Sequence, residues 1–91
     1  MILTRPSYLR AFQRLSTQQQ ARVNDAIAGL EPAFGRPHLH GGIGLRPIGN
    51  FFEFRAGLGL RVLFVASRGD LILVTVGNHD HIARFARTAR A

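Results

Sequence analysis

Arg55 and Arg61 stand at equal distance on either side of Leu58, the middle residue of Gly57-Leu58-Gly59, and Glu53 lies on the N-terminal side of Arg55. If that glycine-flanked segment turns the chain between two strands, Arg55 falls opposite Arg61 and Glu53 falls opposite Leu63. Like charges directly opposite on a sheet repel. The arginine pair therefore calls for an anion: Glu53 in the free protein, and a phosphate or an acidic partner in a complex. The planar donor fork of arginine suits phosphate and carboxylate alike. Downstream, His79-Asp80-His81 supplies imidazoles, which titrate near neutrality and can give or take a proton. The bland readings are a surface ion pair at Glu53 and a helix cap at Asp80 with two solvated histidines. A metal centre is disfavoured, because no further ligand cluster is placed to complete one. His38 and His40 share one side of an extended chain within a connector and read as bystanders.

The rest of the composition sharpens this chemistry. The chain has 91 residues, the size of one domain spanning 1–91. Hydrophobic residues make up 46%, enough for a packed core and too many for a disordered chain. All 12 basic residues are arginine against 5 acidic ones, giving a net charge of +7. That excess suggests nucleic acid, or an acidic protein covering the same surface. With no cysteine, disulfides, thiolate metal sites and cysteine nucleophiles are excluded. No stretch reaches membrane-span length, and the N-terminus lacks the pattern of a secretion signal. A cytoplasmic protein with no cofactor, no metal and no membrane partner is expected.

The elements that must position these residues follow from periodicity. Ile2-Leu3 is a candidate short strand. Pro6 suits the first turn of a helix, in which Tyr8, Phe12 and Leu15 share one face. Ser16 and Gln19 form a capping-box pattern. They open a second helix that carries Val23, Ile27 and Leu30, so the pair is expected to form a helical hairpin. Residues 33–44 are rich in glycine and proline and read as a non-helical connector. Alternation then marks strands over 45–48, 51–56, 60–67 and 71–77, with Gly49-Asn50 as a hairpin turn. The end of the chain, from Asp80, reads as a short helix.

Strand parity sorts the side chains into two faces. A three-residue loop over 68–70 places Phe52, Phe54, Val62, Phe64, Ile72, Val74 and Val76 together as a core against the helices. The opposite face then gathers Glu53, Arg55, Arg61, Leu63, Val65, Leu73 and Thr75, and leads to His79. A two-residue loop would shift the last strand by one residue and break this sorting.

The ordered runs Gly44-Leu45-Arg46-Pro47-Ile48, Phe52-Glu53-Phe54-Arg55, Leu60-Arg61-Val62-Leu63-Phe64, Gly69-Asp70-Leu71-Ile72-Leu73-Val74 and Gly77-Asn78-His79-Asp80 resemble the RelE/ParE toxin pattern over nearly the whole chain. The resemblance implies an α+β fold. An N-terminal helical hairpin packs on a four-stranded antiparallel sheet, with room for one short N-terminal strand, and a short C-terminal helix follows. It implies the toxin of a type II toxin–antitoxin system, a metal-independent endoribonuclease that cleaves mRNA on the ribosome.

In that reading Arg55 and Arg61 neutralise the scissile phosphate, and His79 moves protons with Glu53 as the alternative. Arg46, Arg84, Arg87 and Arg90 meet RNA phosphates. An acidic, amphipathic antitoxin segment covers an exposed row of Leu63, Val65, Leu71 and Leu73. Two other readings remain open: a ParE-like toxin that inhibits DNA gyrase without chemistry, and an inactive module that binds antitoxin as a co-repressor. The chain departs from nuclease members in having no lysine and no C-terminal tyrosine, which favours the gyrase reading. The histidine at the end of the last strand favours the nuclease.

Overall fold

The computed structural model describes residues 1–57 and 59–89. The chain runs β1 (Ile2–Thr4), α1 (Pro6–Gln13), α2 (Thr17–Ala28), α3 (Leu30–Ala33), α4 (Pro37–Ile43), β2 (Arg46–Ile48), β3 (Phe51–Arg55), β4 (Arg61–Ser67), β5 (Asp70–Gly77) and α5 (His79–Thr88). Pro6 opens α1, where its missing N–H leaves no partner unserved. Ser16 caps α2 by the expected reciprocal pair. Its hydroxyl accepts from the Gln19 amide at 3.1 Å, and its own amide donates to the Gln19 side chain at 2.9 Å. The Gln20 side chain donates back to the Phe12 carbonyl at 3.1 Å, which ties the two helices at their junction.

The connector over 33–44 is more ordered than its composition implies. Pro37 begins α4, and Gly44 ends it in the left-handed conformation at φ 65°. The proline and the glycine act as start and stop signals of a short helix rather than as breakers.

The sheet order is β1-β5-β4-β3-β2. The short N-terminal strand exists, but it pairs parallel to β5, so the sheet is mixed rather than wholly antiparallel. Gly49-Asn50 makes the expected tight turn, with Ile48 paired to Phe51. Arg55 pairs with Arg61 and Glu53 with Leu63, as parity requires.

The β4–β5 connection departs from expectation. Ser67 pairs with Asp70, leaving a two-residue turn, Arg68-Gly69, with φ of 54° and 85°. Positive φ at both central residues matches the twist of a tight hairpin. Phe64 pairs with Leu73 and Leu63 with Thr75, so Val74 is an extra residue that bulges from the ladder. The tight turn shifts the strand by one residue, and the bulge restores the register beyond it. Arg61 still meets Gly77.

This changes which side chains are covered. Leu71 and Leu73 join Tyr8, Val23, Leu30, Phe54, Val62 and Phe64 in the core beneath the helical hairpin. Ile72 and Val74 go to the opposite side, where Phe51, Leu63 and Val65 pack against Ile82, Phe85 and Ala86 of α5. The expected exposed row of Leu63, Val65, Leu71 and Leu73 therefore does not exist: all four are buried, two in each core. What the sequence reading missed is the bulge, and that the expected C-terminal helix packs its apolar side over this face of the sheet. No helix among the described residues is long and apolar enough to cross a membrane.

Leu73 is 1% exposed. Leu73→Ala should cost ~2–5 kcal/mol of stability in urea unfolding. Leu73→Asp should abolish cooperative unfolding, because it buries a carboxylate with no partner.

Candidate functional site

Glu53 is where three strands converge. It sits on β3 opposite Arg46 of β2 and opposite Leu63 of β4, with Arg61 diagonally across. Its side chain is fully buried, and its Oε1 accepts from Arg46 Nε at 2.9 Å and from Arg61 Nη1 at 3.0 Å. Its Oε2 is buried without a hydrogen-bond partner. The carboxylate thus fixes the guanidinium of Arg61, whose side chain is 24% exposed. Arg46 keeps 56% exposure while bound to the same oxygen.

Arg55 is held differently. It is exposed at the end of β3, and its Nη2 donates to the Gly41 carbonyl at 3.2 Å. Its side chain lies across Gly44, where an added Cβ would come 2.8 Å from Arg55 Nε. The C-terminal end of α4 therefore seats Arg55, through a carbonyl and through the absence of a side chain. A carbonyl at a helix C-terminus carries partial negative charge, which suits a cation.

His79 is the first residue of α5, directly after the Asn78 cap, and is exposed. Arg61 is paired with Gly77 in the ladder, which brings β4 to this strand–helix junction. Arg55, Arg61 and His79 line one open groove of ≈ 620 Å³, together with Gly42, Gly57, Gly59 and Leu60. No carboxylate is among these lining residues. Glu53 lies behind Arg61 rather than in the groove wall.

The neighbouring histidine has another task. His81 Nε2 is hydrogen bonded to the Thr75 hydroxyl at 2.9 Å, and a Cβ on Gly77 would come 2.6 Å from the His81 ring. The ring thus fastens α5 to β5. Burial, then the charges of Arg84 and Arg14, lower its pKa below the ordinary value. Asn78 Oδ1 accepts from the His81 amide at 2.8 Å, so Asn78, and not Asp80, caps the helix.

Of the remaining expected contacts, Arg84 and Arg87 are exposed on α5 and line a separate shallow depression with Asp80. Arg90 lies outside the described residues. Among the described residues no cluster of three or more His, Asp or Glu could hold a metal ion. The groove can therefore engage a phosphodiester with two guanidiniums and present one imidazole to it. Sequence reading did not find the glycine walls or the seat for Arg55. The run Gly41-Gly42-Ile43-Gly44 was the available signal.

No family sequence model and no curated protein sequence matches the chain. Its architecture is that of solved RelE-type toxins. It is similar to the structure of the RelB–RelE antitoxin–toxin complex from Methanococcus jannaschii, at 13% identity and a TM-score of 0.65, covering 91% of this chain and 96% of that one. The YoeB–YefM complex from Staphylococcus aureus aligns at 14% identity and a TM-score of 0.61, over 87% and 95% of the two chains. A YoeB/ParE toxin from Agrobacterium tumefaciens aligns at 18% identity and a TM-score of 0.60, over 86% and 96%. At these identities the likeness establishes the fold.

The lowered pKa of His81 sets a pH dependence. As pH falls below the ordinary value of 6.5, the unfolded chain takes up a proton before the folded chain does. The stabilisation is complete above that pH and is lost as pH falls toward the folded value. Between about pH 7 and about pH 5, the urea midpoint of the native chain should drop further than that of His81→Asn, which cannot titrate there.

Proposed function

We propose that the chain is a toxin of the RelE/ParE superfamily, paired with an antitoxin, and that it cleaves mRNA on the ribosome. The observation that carries this reading is the convergence of Arg55, Arg61 and His79 on one groove free of lining carboxylates. The fold shared with known toxins supports it.

The chemistry needs no metal. A ribose 2′-hydroxyl attacks the adjacent phosphorus, its proton leaves, the bond to the 5′-oxygen breaks, and that oxygen gains a proton. The products are a 2′,3′-cyclic phosphate and a 5′-hydroxyl. Arg61 and Arg55 stabilise the negative charge that builds on the phosphorane. His79 carries one of the two proton transfers, with water at the other end. Glu53 acts behind Arg61 as a positioning residue, since its Oε1 is already shared by two guanidiniums. Arg46, Arg84 and Arg87 extend the basic surface toward RNA phosphates, which makes binding steeply salt-dependent. The antitoxin that restrains such a site is an acidic segment placing carboxylates on Arg55 and Arg61. The setting is the cytoplasm.

One observation favours a gyrase-inhibiting, non-enzymatic toxin instead. The chain has no lysine, and its single tyrosine, Tyr8, is buried in the core, where burial pushes its pKa up to about 12. It is thus no candidate for proton transfer in the groove. Primer extension on cellular mRNA after induction separates the two readings. Discrete cuts within coding frames support the nuclease; intact mRNA with a DNA-damage response supports the gyrase inhibitor.

His79→Ala should slow single-turnover cleavage on programmed ribosomes by ~10²–10⁴-fold while ribosome binding changes little. A rate within a few-fold of the native chain would remove His79 from the mechanism.

Arg61→Ala should abolish growth arrest and also lower the melting temperature, because it strips one of two partners from a buried carboxylate; loss of such a partner costs up to ~3–5 kcal/mol. Adding Glu53→Leu to Arg61→Ala should recover part of the stability and none of the toxicity. Recovery of both would make Arg61 purely structural.

A further inference from the structure

A second basic groove opens beside the first. The chain passes from β5 into α5 through Gly77, Asn78 and His79. His79 lines the groove already described. Gly77 and Asn78 line another, of ≈ 310 Å³, whose walls include Arg14 at the end of α1 and both His81 and Arg84 on α5. Leu15 and Val76 also line it. No carboxylate lines it. Both ion pairs that arginine side chains make among the described residues are at Glu53, so Arg14 and Arg84 are in none.

We infer that this second groove binds the sugar–phosphate backbone of a nucleotide next to the scissile one, on the same single-stranded RNA. The inference rests on the nuclease reading of the first groove. Consecutive residues line the two grooves, Gly77 and Asn78 the second and His79 the first, so one flexible strand crossing that junction can reach both. Arg14 and Arg84 come from different helices yet line the same groove with His81, and both charges reach its ring. Two guanidiniums lining one groove suit the oxygens of one phosphate. Leu15 and Val76 offer apolar surface to the adjoining ribose or base, a combination that single-stranded nucleic acids favour. An acidic peptide shares the charge but not the continuity: the regular anionic backbone of RNA links a phosphate in one groove to a phosphate in the next.

The test uses the whole chain and a fluorescent single-stranded RNA of about ten nucleotides, read by anisotropy across a salt series. Arg14 is exposed at the C-terminus of α1, where its backbone amide caps the helix, so its side chain can be shortened without touching the core; a melt confirms that the variant folds. Arg14→Ala should weaken RNA binding roughly three- to tenfold at low salt and reduce the slope of log K against log salt by about one phosphate contact. Arg14→Lys should restore the slope. Arg68→Asn removes the same charge from the turn at the far end of β5 and should leave binding and slope close to native.

Unchanged binding by Arg14→Ala overturns the inference. So does equal loss in Arg68→Asn, which would mean bulk charge only, and so does failure of the native chain to bind RNA. Loss of affinity by Arg14→Ala for polyglutamate but not for RNA also overturns it, in favour of a protein partner. Cleavage is scored separately on programmed ribosomes. RNA binding that depends on Arg14 without any cleavage would sink the nuclease reading and leave the groove standing. Cleavage that ignores Arg14 would do the reverse.

Discussion

A carboxylate sealed beneath a sheet must be paired, because an isolated charge in a low-dielectric interior is too costly to keep. Glu53 meets that constraint with two guanidiniums on one oxygen, from β2 and from β4. The arrangement ties three adjacent strands through one atom. It also fixes where Arg61 can be. Arg61 is opposite Arg55 on one side and opposite Gly77 on the other, so a guanidinium anchored at Glu53 stands between the end of β3 and the start of α5. The groove is built around that fixed point.

The second constraint is the bulge at Val74. A strand has two faces, and a shift by one residue exchanges them. The tight Arg68-Gly69 turn imposes such a shift on the first half of β5, and the bulge removes it from the second half. Near the turn, Leu71 and Leu73 face the helical hairpin. Past the bulge, Thr75 faces α5 and holds His81. The same strand therefore serves both cores and still delivers Gly77 opposite Arg61. A bulge placed one residue away would part Thr75 from His81 and re-aim the helix that carries His79.

Charge distribution gives the groove its character. The chain carries +7; among the described residues the only arginines that form ion pairs with an acidic side chain are Arg46 and Arg61, and the groove lining contains no carboxylate. Arg55 rests on a carbonyl of α4 rather than on an acid, so its charge stays available to a ligand. The paired imidazoles divide their work by position. His79 faces the groove, and His81 is spent on packing and on the Thr75 bond.

The sequence by itself determined the elements and the central ladder. Local signals sufficed for both: Pro6, the Ser16–Gln19 capping pair, the Gly49-Asn50 turn and the symmetry of Arg55 and Arg61 about their loop each depend on near neighbours in the chain. From them follow the helical pair, the strand pairing at the site, and the meeting of Glu53 with Arg61. The sequence did not determine the parallel partner of β1, the helix within 33–44, or the sides taken by Leu71, Leu73, Ile72 and Val74. Those sides depend on a turn and a bulge whose registers compensate, and parity counting reads neither without knowing the other. The end of the last strand singled out His79, but the task of His81 follows only from the fold, where Gly77 lets its ring approach and reach Thr75. Local sequence chose the chemistry available; the packing of α4 and α5 against the sheet decided which of it faces the groove.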